Sequence, residues 1–165
     1  MAEASPLEYA IQLERDGQAF YSEAANAARN PLGKRMFESL AADERRHEEV
    51  LLQIAQKMDA ALGGPLPKER LVTLFAALGD QIRSDLGADA ADTAVIEKAI
   101  GVEKASVEHY KVQAEQADAE GARALYARLV DEELQHVDIL TNTLAYLNAT
   151  GDWFLWEEDG LLDGG

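Results

Sequence analysis

The chain has 165 residues, the size of one domain, with 31 acidic side chains against 15 basic ones and a formal charge of −16. A field of that sign repels nucleic acid and anionic membrane surfaces, and it attracts cations. Cysteine is absent, which excludes disulfides, thiolate zinc sites, iron–sulfur clusters and thiol nucleophiles.

Four prolines and 12 glycines cluster between long stretches rich in Ala, Leu, Glu, Gln and Arg, all good helix formers. Ser5-Pro6 reads as an N-cap followed by proline at the first helical position. Leu7, Ala10, Ile11, Leu13, Gly17, Phe20, Tyr21 and Ala24 then recur near helical spacing. Asn30-Pro31 ends that helix and starts a second, which carries Met36, Phe37, Leu40, Val50, Leu51, Ile54 and Met58 and is expected to run to Gly63-Gly64-Pro65. A third helix is predicted over 93–118, capped by Asp92, and a fourth over 121–149. The segment 63–91 between the pairs is predicted to hold a short helix over 69–85. No stretch alternates with the period of a strand. No apolar run is long enough to span a membrane, and MAEASPLEYA lacks the basic and apolar regions of a secretory signal, so a cytoplasmic location is the expectation.

Short links within each pair predict antiparallel hairpins. The longer 63–91 segment can run the length of a bundle. The fold expected is therefore all-α: a ferritin-like four-helix bundle over 1–150, two hairpins joined by a long crossover, with a tail over 151–165. An internal repeat supports this. Shifting the chain by 89 residues places Glu14 on Glu103, Tyr21 on Tyr110, Glu44 on Glu133 and His47 on His136. Phe37 falls on Tyr126 and Asp43 on Glu132, and two of the three histidines take part. Two such hairpins would pack with approximate two-fold symmetry.

Each hairpin carries a lone Glu on its first helix and a Glu-x-x-His on its second, Glu44 to His47 and Glu133 to His136. Residues three apart share a helix face, so each pair can aim both donors at one point. Glu14 and Glu44 each lie about 15 residues from the first turn, roughly 22 Å at 1.5 Å per residue, and so come level. Glu103 and Glu133 come level in the same way. One Glu-x-x-His alone would read as solvated helix surface. Two of them, each with a matching Glu and related by one offset, predict a six-residue metal cluster: Glu14, Glu44, His47, Glu103, Glu133 and His136. Four carboxylates in a helical core are costly unless cations neutralise them. This oxygen and nitrogen set suits two divalent cations, iron, manganese or zinc. Tyr21 and Tyr110, two turns beyond the lone glutamates, can reach ligand carboxylates or simply pack in the core. Asp43 and Glu132 can orient an imidazole N–H, although Glu132 reads somewhat more readily as a solvated charge. His109, whose repeat partner is Phe20, reads as a packing or surface residue.

The segments Leu13-Glu14-Arg15-Asp16-Gly17-Gln18-Ala19-Phe20-Tyr21 and Asp43-Glu44-Arg45-Arg46-His47, with their counterparts around Glu103 and Glu132-Glu133-Leu134-Gln135-His136, resemble the ferritin-like superfamily and most closely its rubrerythrin-related branch. The resemblance spans 7–149. It implies a bridged di-iron centre that reacts with hydrogen peroxide or dioxygen. A rubredoxin-type iron domain would need cysteines, so electrons would come from a separate donor such as a rubredoxin-type protein. The Glu-x-x-Glu usual on the branch's third helix is missing, since Ser106 follows Glu103 and residue 100 is Ile. That departure implies a six-ligand site.

Three functions follow as expectations: a peroxidase or ferroxidase, an iron-storage or metal-binding protein without turnover, and a structural bundle. Hydroxylation of an organic substrate stands behind these. A homodimer is expected, with no nucleic-acid or membrane partner. Trp153-Phe154-Leu155-Trp156 is expected to pack on the bundle or on a second subunit.

Overall fold

A computed structural model describes residues 5–57, 59–71 and 90–150. They form four long helices, α1 (Pro6–Ala27), α2 (Pro31–Ala55), α3 (Ala90–Gln116) and α4 (Glu120–Thr150), with a helical turn over 67–71 and no strand among the described residues. The Ser5 cap read from the sequence is present, and the second helix starts at Asn30-Pro31 as expected. The Ser5 hydroxyl accepts from the Glu8 amide while the Glu8 carboxylate accepts from the Ser5 amide. The Asn30 side chain accepts from the amides of Leu32 and Gly33, ahead of Pro31.

Three boundaries differ from expectation. Helix α2 stops at Ala55, well before the Gly63-Gly64-Pro65 turn, because Lys57 enters the left-handed region at φ 56° and breaks the hydrogen-bond ladder. Helix α3 begins at Ala90, so Asp92 lies inside its first turn, where a negative charge complements the helix dipole, and not at the cap. Of the short helix expected over 69–85, residues 69–71 belong to a helical turn that starts at residue 67, and 72–85 lie outside the described residues. The tryptophan-bearing tail also lies outside them.

The side chains fix the arrangement. Tyr21 stacks on Phe37 and Tyr110 on Tyr126, so each hairpin is antiparallel. Between hairpins α1 pairs antiparallel with α3, through Tyr21 to Glu103 and Tyr110 to Glu14. Likewise α2 pairs antiparallel with α4, through His47 to Glu132 and Asp43 to His136. Helices α2 and α3 are then parallel and diagonal, so the end of α2 and the start of α3 lie at opposite ends of the bundle, as a ferritin-like topology requires.

The core is split. One apolar block gathers Leu32, Met36, Phe37, Leu40, Ile96, Ile139 and Leu147 with Leu71 of the crossover. The other gathers Ala10, Ile11, Leu51, Tyr110, Tyr126 and Leu129. Between them lies a buried polar layer of Glu14, Asp43, Glu44, His47, Glu103, Glu132, Glu133 and His136, each no more than 4% exposed.

Candidate metal centre

All six residues predicted from the spacing meet in that layer. Donor atoms of Glu14, Glu44, His47 and Glu133 lie within 4.8 Å of one another, and so do those of Glu44, Glu103, Glu133 and His136. Two four-residue groups therefore share Glu44 and Glu133. His47 Nδ1 lies 3.3 Å from Glu14 Oε2, 3.2 Å from Glu44 Oε2 and 3.2 Å from Glu133 Oε1. His136 Nδ1 lies 3.5 Å from Glu44 Oε1, 3.4 Å from Glu103 Oε1 and 3.0 Å from Glu133 Oε2. None of these approaches has hydrogen-bond geometry: both Nδ1 atoms and both Glu133 oxygens are buried without a hydrogen-bond partner. Native interiors rarely leave such atoms orphaned. Donors that face a common point and not one another are what a cation between them requires, so the residues present fit a metal.

The outer faces of the imidazoles are committed. His47 Nε2 sits 3.0 Å from Glu132 Oε2, and His136 Nε2 sits 3.0 Å from Asp43 Oδ2. An ionised carboxylate cannot donate, so Nε2–H donates in each case, which leaves Nδ1 as the ring nitrogen that faces the centre. The pairing crosses between hairpins, each carboxylate orienting the imidazole of the other. Glu132 is fully buried and serves this role, which corrects its reading as a solvated charge. The tyrosines cross in the same way. Tyr21 donates to Glu103 and Tyr110 to Glu14, so both are more than core aromatics. His109 stands apart, with Nε2 3.2 Å from the Pro6 carbonyl and its ring edge-on to Tyr9.

Electrostatics within the layer divide the groups. Burial pushes the Glu44 carboxyl well above the usual range, and the charges of Glu133, Glu103 and Glu14 add to it. Burial and the Glu133 charge likewise raise Glu103, to about 7. For Glu14 burial is outweighed by His47, and for Glu133 burial and the Glu14 charge are outweighed by His47 and His136, so both sit below the usual range. Both imidazoles go the opposite way to buried histidines in apolar surroundings. Burial disfavours their charge, but the surrounding carboxylates hold them well above the ordinary value. Asp43 and Glu132 are held low despite burial, Asp43 by His136 and Arg70, Glu132 by His47, Arg46 and Arg128. Burial and the carboxylate each one faces raise the Tyr21 and Tyr110 hydroxyls, so they remain proton donors.

A family model described as rubrerythrin matches residues 6–144. The chain belongs to the rubrerythrin family. That match covers most of the chain and includes every residue of the polar layer. No curated protein and no solved structure matches it. No described helix is long and apolar enough to cross a membrane.

Four contributors escaped the spacing argument. Arg46 and Arg128 hold Glu132, at 2.6 Å and 2.9 Å, and Arg70 of the crossover holds Asp43. Gly17 packs against Glu44, so closely that a Cβ there would lie 3.3 Å from Glu44 Cγ. For Arg46 a signal was present: it lies one turn after Asp43 and one residue before His47. Arg128 carries one too, since it lies four residues before Glu132 on the same helix, whereas Arg70 carries none, because only the docking of the crossover brings it in.

Proposed function

We propose that the cluster binds two iron ions and that the protein is a di-iron oxidoreductase, reducing hydrogen peroxide or dioxygen as Fe(II) is oxidised. The orphaned Nδ1 atoms of His47 and His136, buried beside the orphaned carboxylate of Glu133, carry this reading. Glu14 and His47 would hold one ion, Glu103 and His136 the other, with Glu44 and Glu133 shared by both. Bound iron would supply the electrons and the Lewis acidity for reduction of the oxidant. Asp43 and Glu132 keep the imidazoles in the tautomer that offers Nδ1. The Tyr21 and Tyr110 hydroxyls steady the terminal carboxylates of Glu103 and Glu14. Burial of every donor keeps bulk water from competing for the same positions. Electrons would come from a separate donor such as a rubredoxin-type protein, and the working form would be a cytoplasmic homodimer.

Stopped-flow absorbance of the anaerobic Fe(II)-loaded protein, mixed separately with peroxide and with dioxygen, tests this. Faster oxidation by peroxide makes the protein a peroxidase. Faster oxidation by dioxygen, continuing as Fe(II) is added, makes it a ferroxidase. A second reading, iron storage without turnover, draws on the formal charge of −16, which favours cation capture over anionic substrates. An Fe(II)-loaded protein inert to both oxidants would favour it.

A further inference from the structure

The carboxylates that orient the two imidazoles are themselves held by three arginines, and those arginines reach the crossover. Arg46 Nη2 donates to Glu132 Oε2 at 2.6 Å and to Asp43 Oδ1 at 3.3 Å, while Arg46 Nη1 donates to the Gly63 carbonyl at 3.2 Å. One guanidinium thus touches the partners of both His47 and His136. Arg128 donates to Glu132 at 2.9 Å and to the Gly64 carbonyl at 3.2 Å. Arg70, itself on the crossover, donates to Asp43 and to the Pro65 carbonyl.

The repeat shows that this is not symmetric. The counterpart of Arg46 in the second hairpin is Gln135, which cannot supply a cation. Its side-chain oxygen instead accepts from the Lys68 amide of the crossover at 3.4 Å. The cation missing from α4 is replaced by Arg70. Asp43 and Glu132 therefore each get two guanidinium contacts; one of those on Asp43 comes from the crossover itself, and both arginines on Glu132 also donate to crossover carbonyls.

We propose that Arg46 is a positioning residue for both imidazoles, that Arg70 positions His136 alone and Arg128 His47 alone, and that docking of crossover residues 63–71 is coupled through them to metal binding. The inference rests on the reading that the cluster takes two ions. A guanidinium fork fixes a carboxylate in plane and in distance, which a point charge does not. A carboxylate fixed in this way fixes the imidazole that donates to it. Loss of such partners typically weakens metal binding about 10–100-fold. By linkage, an ion that needs the imidazoles aligned must favour the docked crossover to the same extent.

The test is a titration of the chelated full-length protein with Co(II), followed by calorimetry, visible absorption and the paramagnetically shifted N–H resonances of the two imidazoles. Wild type should take up two ions and show both resonances, and Co(II) should slow amide exchange over 63–71. Arg46→Gln should weaken both uptake steps by about tenfold or more and lose the exchange protection. Arg46→Lys should behave like Gln, since an ammonium cannot span two carboxylates and a carbonyl. Arg70→Gln should weaken one step and broaden one N–H resonance, and Arg128→Gln the other. Both arginines are about a third exposed or less, 27% and 30%, and outside the apolar blocks, so these variants keep the fold, checked by helical circular dichroism. The proposal is overturned if Arg46→Gln keeps both affinities and both resonances, or if Arg70→Gln alone weakens both steps equally. Wild type taking up no Co(II) would sink the metal reading together with this one. Two ions bound alike by wild type and variants would sink this one only.

Discussion

Replacing Gly17 by alanine should change sign of effect with metal. The position is in the middle of α1, where glycine costs roughly 0.5–1 kcal/mol relative to alanine. What the glycine provides is room: an added Cβ would lie 3.3 Å from Glu44 Cγ, 3.5 Å from Cδ and 3.7 Å from Oε1. The first contact is a few tenths of an ångström too short for comfort. In the chelated protein Glu44 is a side chain with freedom to give that distance, so the helix term wins and Gly17→Ala should stabilise by about 0.5 kcal/mol or slightly more. Glu44 belongs to both four-residue groups, so with the two ions proposed above it would be unable to move without disturbing both. The same methyl then acts as overpacking, with a cost of about 1–3 kcal/mol. The difference must appear as affinity, a loss of roughly five- to 150-fold over the two ions. Urea unfolding of the chelated variant gives the first number and Co(II) calorimetry the second. A variant destabilised without metal, or one that binds both ions with wild-type affinity, would refute the argument.

Metal uptake should expel protons. His47, His136 and Glu44 are held well above their ordinary values and Glu103 is raised to about 7, so all must release protons to bind a cation. Apparent Zn(II) affinity should therefore rise steeply between about pH 5 and 8, and calorimetry in buffers of different ionisation enthalpy should count more than one proton released per chain. Stability of the chelated protein should run the other way. Raised groups stabilise below their unfolded values and lose that contribution as pH climbs through the folded ones. Asp43 and Glu132, held low, stabilise above their unfolded values and lose the contribution in acid. Urea midpoints should thus peak near pH 5, about midway between these losses, and fall toward pH 8; a midpoint that rises from pH 5 to 8 would contradict this. Leu40→Ala empties a fully buried position beside the layer and should cost about 2–5 kcal/mol in urea unfolding. Tyr21→Phe removes the hydroxyl from Glu103 and should cost about 1–3 kcal/mol of chelated-state stability, with loss of affinity at one position.

The six donors were legible because three regularities coincide: the helical spacing of Glu-x-x-His, the equal distances from each turn, and the 89-residue repeat. Those are properties of single helices and of one hairpin. What depends on how the hairpins face each other was not legible. Nothing in the sequence states that Asp43 reaches His136 and not its own His47, or that Tyr110 reaches Glu14. Glu132 was misjudged for the same reason. An acidic residue on a helix is ordinarily solvated, and only His47 and Arg46 of the opposite hairpin, added to Arg128 one turn before it, offset the cost of its burial. The early end of α2 was hidden because Lys57, which takes the left-handed conformation, has no glycine signature. The Gly63-Gly64-Pro65 turn that appeared to end the helix instead presents its carbonyls to the arginines.

The crossed pairings carry a consequence for the two four-residue groups. Tyr21 serves Glu103 as Tyr110 serves Glu14, and Asp43 serves His136 as Glu132 serves His47. These are reciprocal contacts of the kind that two identical hairpins would make across a dyad, and two identical hairpins would be bound to make both groups equal. Drawn on a single chain, the same layout is released from that obligation. The halves have used the freedom sparingly, keeping every donor paired while exchanging Asp for Glu, Arg for Gln and Gly for Ser outside the donor set. Equality of the two groups is thereby an outcome that can be tuned, and a centre whose donors are nearly two-fold copies would be free to fill in an ordered sequence.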